Sequence, residues 1–390
     1  MKRNLPKELR SLRVAIVSHI FATGPALDLE EYLQNKVRLL VFIGHPFSYR
    51  KEINSFYRSY LRGKLIGSRL AYPWRLPEPL IYLKDAFYTL LWMLKQKGKI
   101  DLYIGSDNFS AFLGLILKKL GKVEEVVLYT IDYMPQRFKN PLLNFLYHFF
   151  DKQCLKNCQV IWNVSPVMAT AREEYSGLKI SDCAPQILVP LGMWYKRIPK
   201  LPLSKKNRYQ LIFMGHLLEK QGLDVVIKGI PSILKKIPEA KLVVMGTGEY
   251  ENHLKNLAKR LKIEKHVLFT GYIERHEDIE RKLARSALAV AMYKPDPASF
   301  TNWSDPGKLK NYLAAGLPII LTSVPPVAKE IKNEKCGVIA EYNEKDFSQQ
   351  VINLLRNNSK MREYSKNAVK WARQFDWDLV FAKALIQTLV

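Results

Sequence analysis

Acidic side chains are scarce in this chain: 36 Asp and Glu stand against 61 Lys and Arg, a net charge of +25. Such an imbalance points to an anionic partner, whether nucleic acid, an anionic membrane surface or a phosphorylated substrate, and charge alone does not choose among them. Cysteine is rare as well. Cys154, Cys158, Cys183 and Cys336 lack paired CxxC spacing, so neither a disulfide framework nor a zinc site is implied. Cys154 and Cys158 could share a helix face, but no clustered histidines accompany them, and no metal is expected. Long apolar runs are missing too. The most apolar stretch, Leu80 to Leu94, contains Lys84 and Asp85 and falls short of the ~20 residues that cross a bilayer. The N-terminus is basic without an apolar signal region, so a cytoplasmic protein is the expectation. P-loop, HExxH and GxSxG patterns are absent, which leaves nucleotide hydrolysis, zinc proteolysis and hydrolase-type nucleophilic catalysis unsupported.

What is present is a long chain with enough apolar material for two cores: 390 residues, 48% hydrophobic, predict two domains of roughly 180 to 200 residues each. The C-terminal half alternates strands and helices. Apolar runs at Tyr209–Met214, Lys241–Met245, His266–Thr270, Leu288–Met292, Ile319–Leu321 and Gly337–Glu341 are separated by helical periods. Continuous rather than alternating hydrophobicity marks strands buried on both faces, hence a parallel, doubly wound α/β domain. The N-terminal half reads the same way, with strands at Arg13–Val17, Arg38–Phe42, Leu102–Ile104, Val126–Thr130, Val160–Asn163 and Gln186–Val189. Met193 to Arg208, with Pro199, Pro202 and several lysines, has linker composition. The expected division is therefore 1–195 and 196–375, with a last helix over 376–390.

In an open parallel sheet, ligands bind beyond the carboxyl ends of the strands. Four such loops stand out in the second domain: Gly215 to Gly222, which includes His216 and Lys220; Gly246-Thr247-Gly248; Gly271-Tyr272; and Asp305-Pro306-Gly307-Lys308. The last opens the segment Ser304 to Val324, which reads as a helix start feeding a buried strand. Pro306 suits the first turn and Ser304 or Asp305 can cap it. Lys308 would add a full charge to the helix N-terminus and favour a diphosphate; the plainer reading is an ordinary capped helix with a solvated lysine. Gly246 and Gly248 lack the third glycine of the dinucleotide fingerprint, and Thr270 replaces its acidic residue, which disfavours a nicotinamide dehydrogenase.

The first domain offers Thr23-Gly24-Pro25 after its first strand and Asp132 after its fourth. A carboxylate at Asp132 could orient an acceptor hydroxyl or stabilise positive charge on a sugar carbon, or it could merely cap a turn. Between Arg50 and Arg75, cations including Arg58, Arg62, Lys64 and Arg69 are interleaved with aromatics such as Tyr72 and Trp74. Such a mixture suits a bilayer interface, stacking on single-stranded bases, or a solvated surface over buried rings.

Together GHLLEKQGLD, KLVVMGTGEY, VLFTGYI and PGKLKNYLAAGLPII, between Tyr209 and Tyr342, resemble nucleotide-sugar-dependent glycosyltransferases of the GT-B fold, most closely the retaining enzymes of family four. The resemblance implies two Rossmann-like domains facing each other across a cleft, the second binding a nucleoside diphosphate sugar and the first an acceptor. It also implies terminal helices that return to the first domain. On this resemblance Lys220 and Lys308 contact the donor diphosphate, joined by Asp132 in the catalytic set. Gly215, His216, Gly246, Gly248, Tyr272, Asp305, Pro306, Gly307 and Asn311 would bind the donor, with Gly24 in the cleft loop. Departures are visible: Trp303 and Asn311 occupy the places of two glutamates spaced eight apart, Asp132 stands where many relatives have histidine, and His216 where many have arginine. The expected activity is transfer of a sugar, with retention and without metal or cofactor, to a lipid-linked or glycan acceptor. Arg58, Arg62, Lys64, Arg69 and Trp74 would contact the membrane or the acceptor, placing the protein peripherally at the inner membrane face with no nucleic acid partner. A catalytically silent relative that binds a nucleotide sugar or a protein partner is the alternative.

Overall fold

The computed structural model describes residues 9–20, 24–47 and 53–389. Thr23 of the first-domain loop, and Tyr49, Arg50, Lys51 and Glu52 of the basic stretch, lie outside them. The chain divides into two units, one running to Pro190 and resuming at Trp377, the other Leu191–Asp376.

The first unit is built on strands β1 (Arg13–Ile20), β2 (Leu39–Pro46), β3 (Phe56–Leu61), β4 (Lys64–Leu70), β5 (Ile100–Gly105), β6 (Val123–Thr130), β7 (Val160–Asn163) and β8 (Gln186–Leu188). They form one sheet in the order β4-β3-β2-β1-β5-β6-β7-β8. Helices α1 (Pro25–Leu33), α2 (Glu78–Lys95), α3 (Asn108–Lys119), α4 (Pro141–Asn157) and α5 (Val167–Ser176) connect them. β1 is parallel to both neighbours and is buried from Val14 to Val17, as expected for a strand covered on both faces.

One element differs from the sequence expectation. The basic, aromatic stretch, to which the sequence reading assigned no strand, is an antiparallel hairpin, β3 on β2 and β4 on β3. Its turn falls at Arg62 and Gly63, both with positive φ (48° and 84°), the backbone pattern that matches the twist of a tight hairpin. The alternation is hard to read because β4 is exposed along nearly its whole length.

The second unit contains β9 (Gln210–Met214), β10 (Lys241–Met245), β11 (Val267–Gly271), β12 (Leu288–Ala291), β13 (Ile319–Leu321) and β14 (Gly337–Ile339) in the order β11-β10-β9-β12-β13-β14. Its helices are α6 (Leu223–Leu234), α7 (Glu251–Arg260), α8 (His276–Arg285), α9 (Gly307–Ala314), α10 (Ala328–Asn333), α11 (Glu344–Arg356) and α12 (Asn358–Ala372). Alternate residues of β9 enter different cores. Leu211 and Phe213 pack with Val226 of α6, and Ile212 packs with Leu309 of α9. The strand is thus sandwiched between helical layers. The two ends of this unit are tied together, the Met193 amide donating to the Phe375 carbonyl at 3.0 Å. Helix α13 (Trp377–Thr388) then belongs to the first unit, where Trp162 Nε1 donates to Thr388 Oγ1 at 2.9 Å and Phe381 packs on Tyr32. Among the described residues no helix is long and apolar enough to cross a membrane.

Gly222, at the start of α6, shows how tightly the strand ends are packed. Its φ is 67°, and a Cβ there would lie 1.6 Å from the Met292 carbonyl oxygen. Gly222→Ala is expected to lower the unfolding free energy by at least ~2 kcal/mol. Urea denaturation checks this; an unchanged midpoint would contradict the close approach.

Candidate active site

In the second unit the loops after β9 and β10 interlock through their backbones. The Gly215 amide donates to the Met245 carbonyl at 3.0 Å, and the Leu217 amide to the Thr247 carbonyl at 2.9 Å. A Cβ on Gly246 would lie 2.0 Å from the Gly215 oxygen, and one on Gly248 would lie 2.3 Å from the Leu217 oxygen. Glycine is therefore required at both places. The Gly246 amide donates to the Gly271 carbonyl, so Gly215, Gly246, Gly248 and the loop carrying Tyr272 form one rim. His216 and Tyr272 on that rim are exposed.

Helix α9 is pinned to the same rim by Tyr312, whose hydroxyl accepts from the Met214 amide at 2.7 Å. Its start differs from the sequence expectation. Pro306 precedes the first helical residue, and no side chain caps the helix. Asp305 is buried and used elsewhere: Oδ1 accepts from Lys310 Nζ at 2.7 Å and Oδ2 from the Leu191 amide at 3.1 Å. Lys310 is almost fully buried, and the desolvation of its charge demands a carboxylate more strongly than exposed helix amides demand a cap.

Lys308, two residues away, has no such partner. Its ammonium donates to Gln221 Oε1 at 2.6 Å and sits over the rings of Phe213 (4.2 Å) and Tyr293 (4.7 Å). Among the described residues no carboxylate pairs with it, and burial pulls its pKa down to about 7. Burial without a counter-charge disfavours the charged form of this lysine. Lys220, beside Gln221, extends over the Phe300 ring at 4.2 Å. Asn311 spends its amide on the Gly307 carbonyl at 3.2 Å, leaving its side-chain oxygen as an acceptor. Gly307 has room for a Cβ.

The first unit holds a cavity of about 510 Å³, and both Gly24 and Asp132 line it. Asp132 is ion-paired with Arg137, also in the lining. The sequence reading missed the neighbouring His19 at the end of β1. Its Nδ1 lies 2.9 Å from Asp107 Oδ2 and its Nε2 lies 3.3 Å from Asp85 Oδ2. Burial alone would lower the His19 pKa, but the charges and hydrogen bonds of Asp107 and Asp85 outweigh it and raise it to about 10. Asp107 responds in kind: burial would raise it, yet His19 and the Ser110 contacts hold it at about 2. His45 behaves oppositely, its pKa lowered by burial despite Asp85, with Ser55 and Thr89 on its ring nitrogens. The rule that exposed Asp132 applied equally to His19 and Asp107, since both stand at carboxyl ends of strands.

In the patch expected to meet a membrane, Arg58 is committed, 2.6 Å from buried Glu30. Arg62, Lys64, Arg69 and Trp74 are exposed on the hairpin and just after it.

Residues 196–371 match the family described as glycosyl transferases group 1. That span lies within the second unit, Leu191–Asp376. The chain is 29% identical over 165 residues to an uncharacterized glycosyltransferase of Haemophilus influenzae, covering 42% of this chain and 44% of that one. It is 25% identical over 196 residues to a GDP-mannose-dependent α-(1-6)-phosphatidylinositol monomannoside mannosyltransferase of Mycobacterium tuberculosis, covering 47% and 50%. It therefore spans half or less of the length of these relatives. Sucrose-phosphate synthase from Thermosynechococcus elongatus superposes with a TM-score of 0.69 over 96% of this chain and 98% of that one, at 14% identity. The fold is GT-B, with two Rossmann-like domains.

Because its pKa is raised, the pairing of His19 stabilises the first unit fully below the ordinary ~6.5 and is lost as pH climbs through about 10. Imidazole ¹⁵N spectra should show His19 doubly protonated throughout pH 6 to 8.5. A midpoint near 6.5 would contradict the double carboxylate clamp.

Proposed function

We propose that the protein is a glycosyltransferase that moves a sugar from a nucleoside diphosphate sugar to a hydroxyl of a lipid-linked or glycan acceptor, with retention of configuration, at the inner membrane face. The observation that carries the reading is Lys308: a cation without a carboxylate partner among the described residues, at the start of α9, beside a glycine-lined rim. Free amides at a helix start and an unpaired ammonium together favour the charge that a departing diphosphate develops. The match of residues 196–371 to the glycosyl transferases group 1 and the GDP-mannose dependence of the mycobacterial relative support a nucleotide sugar as donor.

In this reading Lys308 and Lys220 stabilise the leaving diphosphate, while the backbone at Gly215, Gly246 and Gly248 lets it approach closely. His216, Tyr272 and Asn311 contact the rest of the donor, with Pro306 and Gly307 shaping the helix start and Asp305 holding that start in place through Lys310. The first-unit cavity holds the acceptor, where Asp132 orients the attacking hydroxyl and Gly24 keeps the wall open. The phosphatidylinositol monomannoside in the name of the mycobacterial relative supports a lipid-linked substrate. Arg62, Lys64, Arg69 and Trp74 suit an anionic membrane surface. A second reading, a silent binder of nucleotide sugars, draws on Asn311, whose amide is turned back on its own helix.

Lys308→Ala should cut sugar transfer by about 10²- to 10³-fold without loss of folding, since it removes an uncompensated cation. Diphosphate release across a panel of nucleotide sugars measures this, and near-normal turnover would refute the assignment. Binding without release by the unaltered protein would favour the silent reading. Binding of a nucleoside diphosphate near pH 7.5 should also take up protons, because the anion favours the charged form of a lysine titrating at about 7. Calorimetry in buffers of different ionisation enthalpy reads that uptake, which Lys308→Ala should abolish.

A further inference from the structure

Two helices flanking the first-unit cavity carry apolar stripes that no described residue covers. On α2, Leu80, Leu83, Phe87 and Leu94 are exposed, Leu83 by 65%. On α4, Leu142, Phe145 and Phe149 are exposed, Leu142 and Phe145 by 65% and 64%. Spacings of three, four and seven residues put each set on one helical face. Each helix also packs inward, through Trp92 and Met93 on α2 and Cys154 and Leu155 on α4, so the stripes are second, outward faces rather than displaced core.

The same two helices line the cavity, α2 with Pro79, Tyr82 and Leu83 and α4 with Leu143, Leu146 and Phe150. Leu83 belongs to both the cavity wall and the exposed stripe. The interior is of two kinds. His19, Asp107, Asp132 and Arg137 form a polar group, and Phe109, Phe138 and Phe150 add aromatic wall. A wholly polar acceptor would leave the aromatic wall and the apolar rim unmatched. An amphiphile fits both parts.

Charge selects the outer partner. Lys95, Lys152 and Lys156 are exposed on these helices, whereas Asp85 and Asp151 are buried in ion pairs with Lys84 and Arg172. Two copies of this face would bring cations together, while an anionic bilayer complements the lysines and buries the stripes. Tyr72, 70% exposed, continues the patch toward the hairpin, where its amide meets the Tyr88 hydroxyl of α2 at 3.4 Å.

We infer that α2 and α4 seat their stripes in an anionic bilayer and that the cavity between them receives an amphiphilic, lipid-anchored acceptor directly from that bilayer, its hydroxyl-bearing head toward His19 and Asp132. This deepens the glycosyltransferase reading and rests on it for the word acceptor, while the membrane and cavity contacts stand on the first unit alone.

The test has two arms, neither requiring sugar transfer. In flotation with vesicles of phosphatidylcholine alone or with about one-third phosphatidylglycerol, the protein should float with the anionic vesicles only. Phe87→Glu/Phe145→Glu, neither of which lines the cavity, should lower partitioning at least ~tenfold and leave nucleoside diphosphate binding unchanged by calorimetry. In the second arm, a diazirine-tagged dodecyl glucoside should label cavity peptides containing Phe109 or Phe150, and Leu146→Trp should reduce labelling several-fold. Free glucose should not compete. Flotation of the double variant like the unaltered protein, or labelling confined outside the cavity, would overturn the inference. Flotation and labelling as expected with no donor turnover would instead refute the transferase reading and leave the lipid site standing.

Discussion

The second unit depends on how closely one backbone can approach another at the carboxyl ends of its strands. Gly222 lies against the Met292 carbonyl, Gly246 against Gly215 and Gly248 against Leu217, at separations that admit no side chain. Because the loops are held by main chain, their positions are set by the sheet itself, and the Tyr312 hydroxyl carries that precision to α9 through the Met214 amide. Side chains added to such a rim inherit a fixed origin. Lys308 can then be presented without a carboxylate partner among the described residues and still occupy one place.

Charge is handled differently at neighbouring positions, and the difference is informative. Lys310 is neutralised by Asp305, Arg172 by Asp151 with Asn163 and Thr130 completing its hydrogen bonds, and His19 by Asp85 and Asp107. Buried ions are expected to be paired in this way. Two buried lysines depart from that background: Lys206 donates to the Ala315 and Gly316 carbonyls, whereas the partners of Lys308 among the described residues are a side-chain amide and two rings. Desolvating a cation without a carboxylate is a cost, and in the proposed function an arriving diphosphate would recover it.

Much of the architecture was legible because hydrophobic runs without alternation occur only where strands are covered on both faces. Strands near Arg13, Tyr209, Lys241 and Leu288 were visible for that reason. The β3–β4 hairpin was not, because β4 lies in solvent on both faces and lacks the burial pattern that would reveal it. In the site, glycines and Lys308 were visible through their position after strands. His19 and Asp107 obeyed the same rule and still escaped notice, since their meaning lies in a pairing across 88 residues that appears only once β5 takes its place beside β1. The function of Asp305 was hidden similarly: a cap is a local inference, whereas its true partner is defined by the burial of Lys310.

The return of α13 to the first unit has a consequence for synthesis. Trp162 finds its hydrogen-bond partner in Thr388, and Tyr32 its ring neighbour in Phe381, so the first unit stays incomplete on the ribosome until all of Leu191–Asp376 has been translated. The second unit is continuous and has its ends already joined through Met193 and Phe375. It can close as soon as it emerges, reversing the usual N-terminal-first order of domain completion. During that interval the Trp162 indole lacks its hydrogen-bond partner on α13.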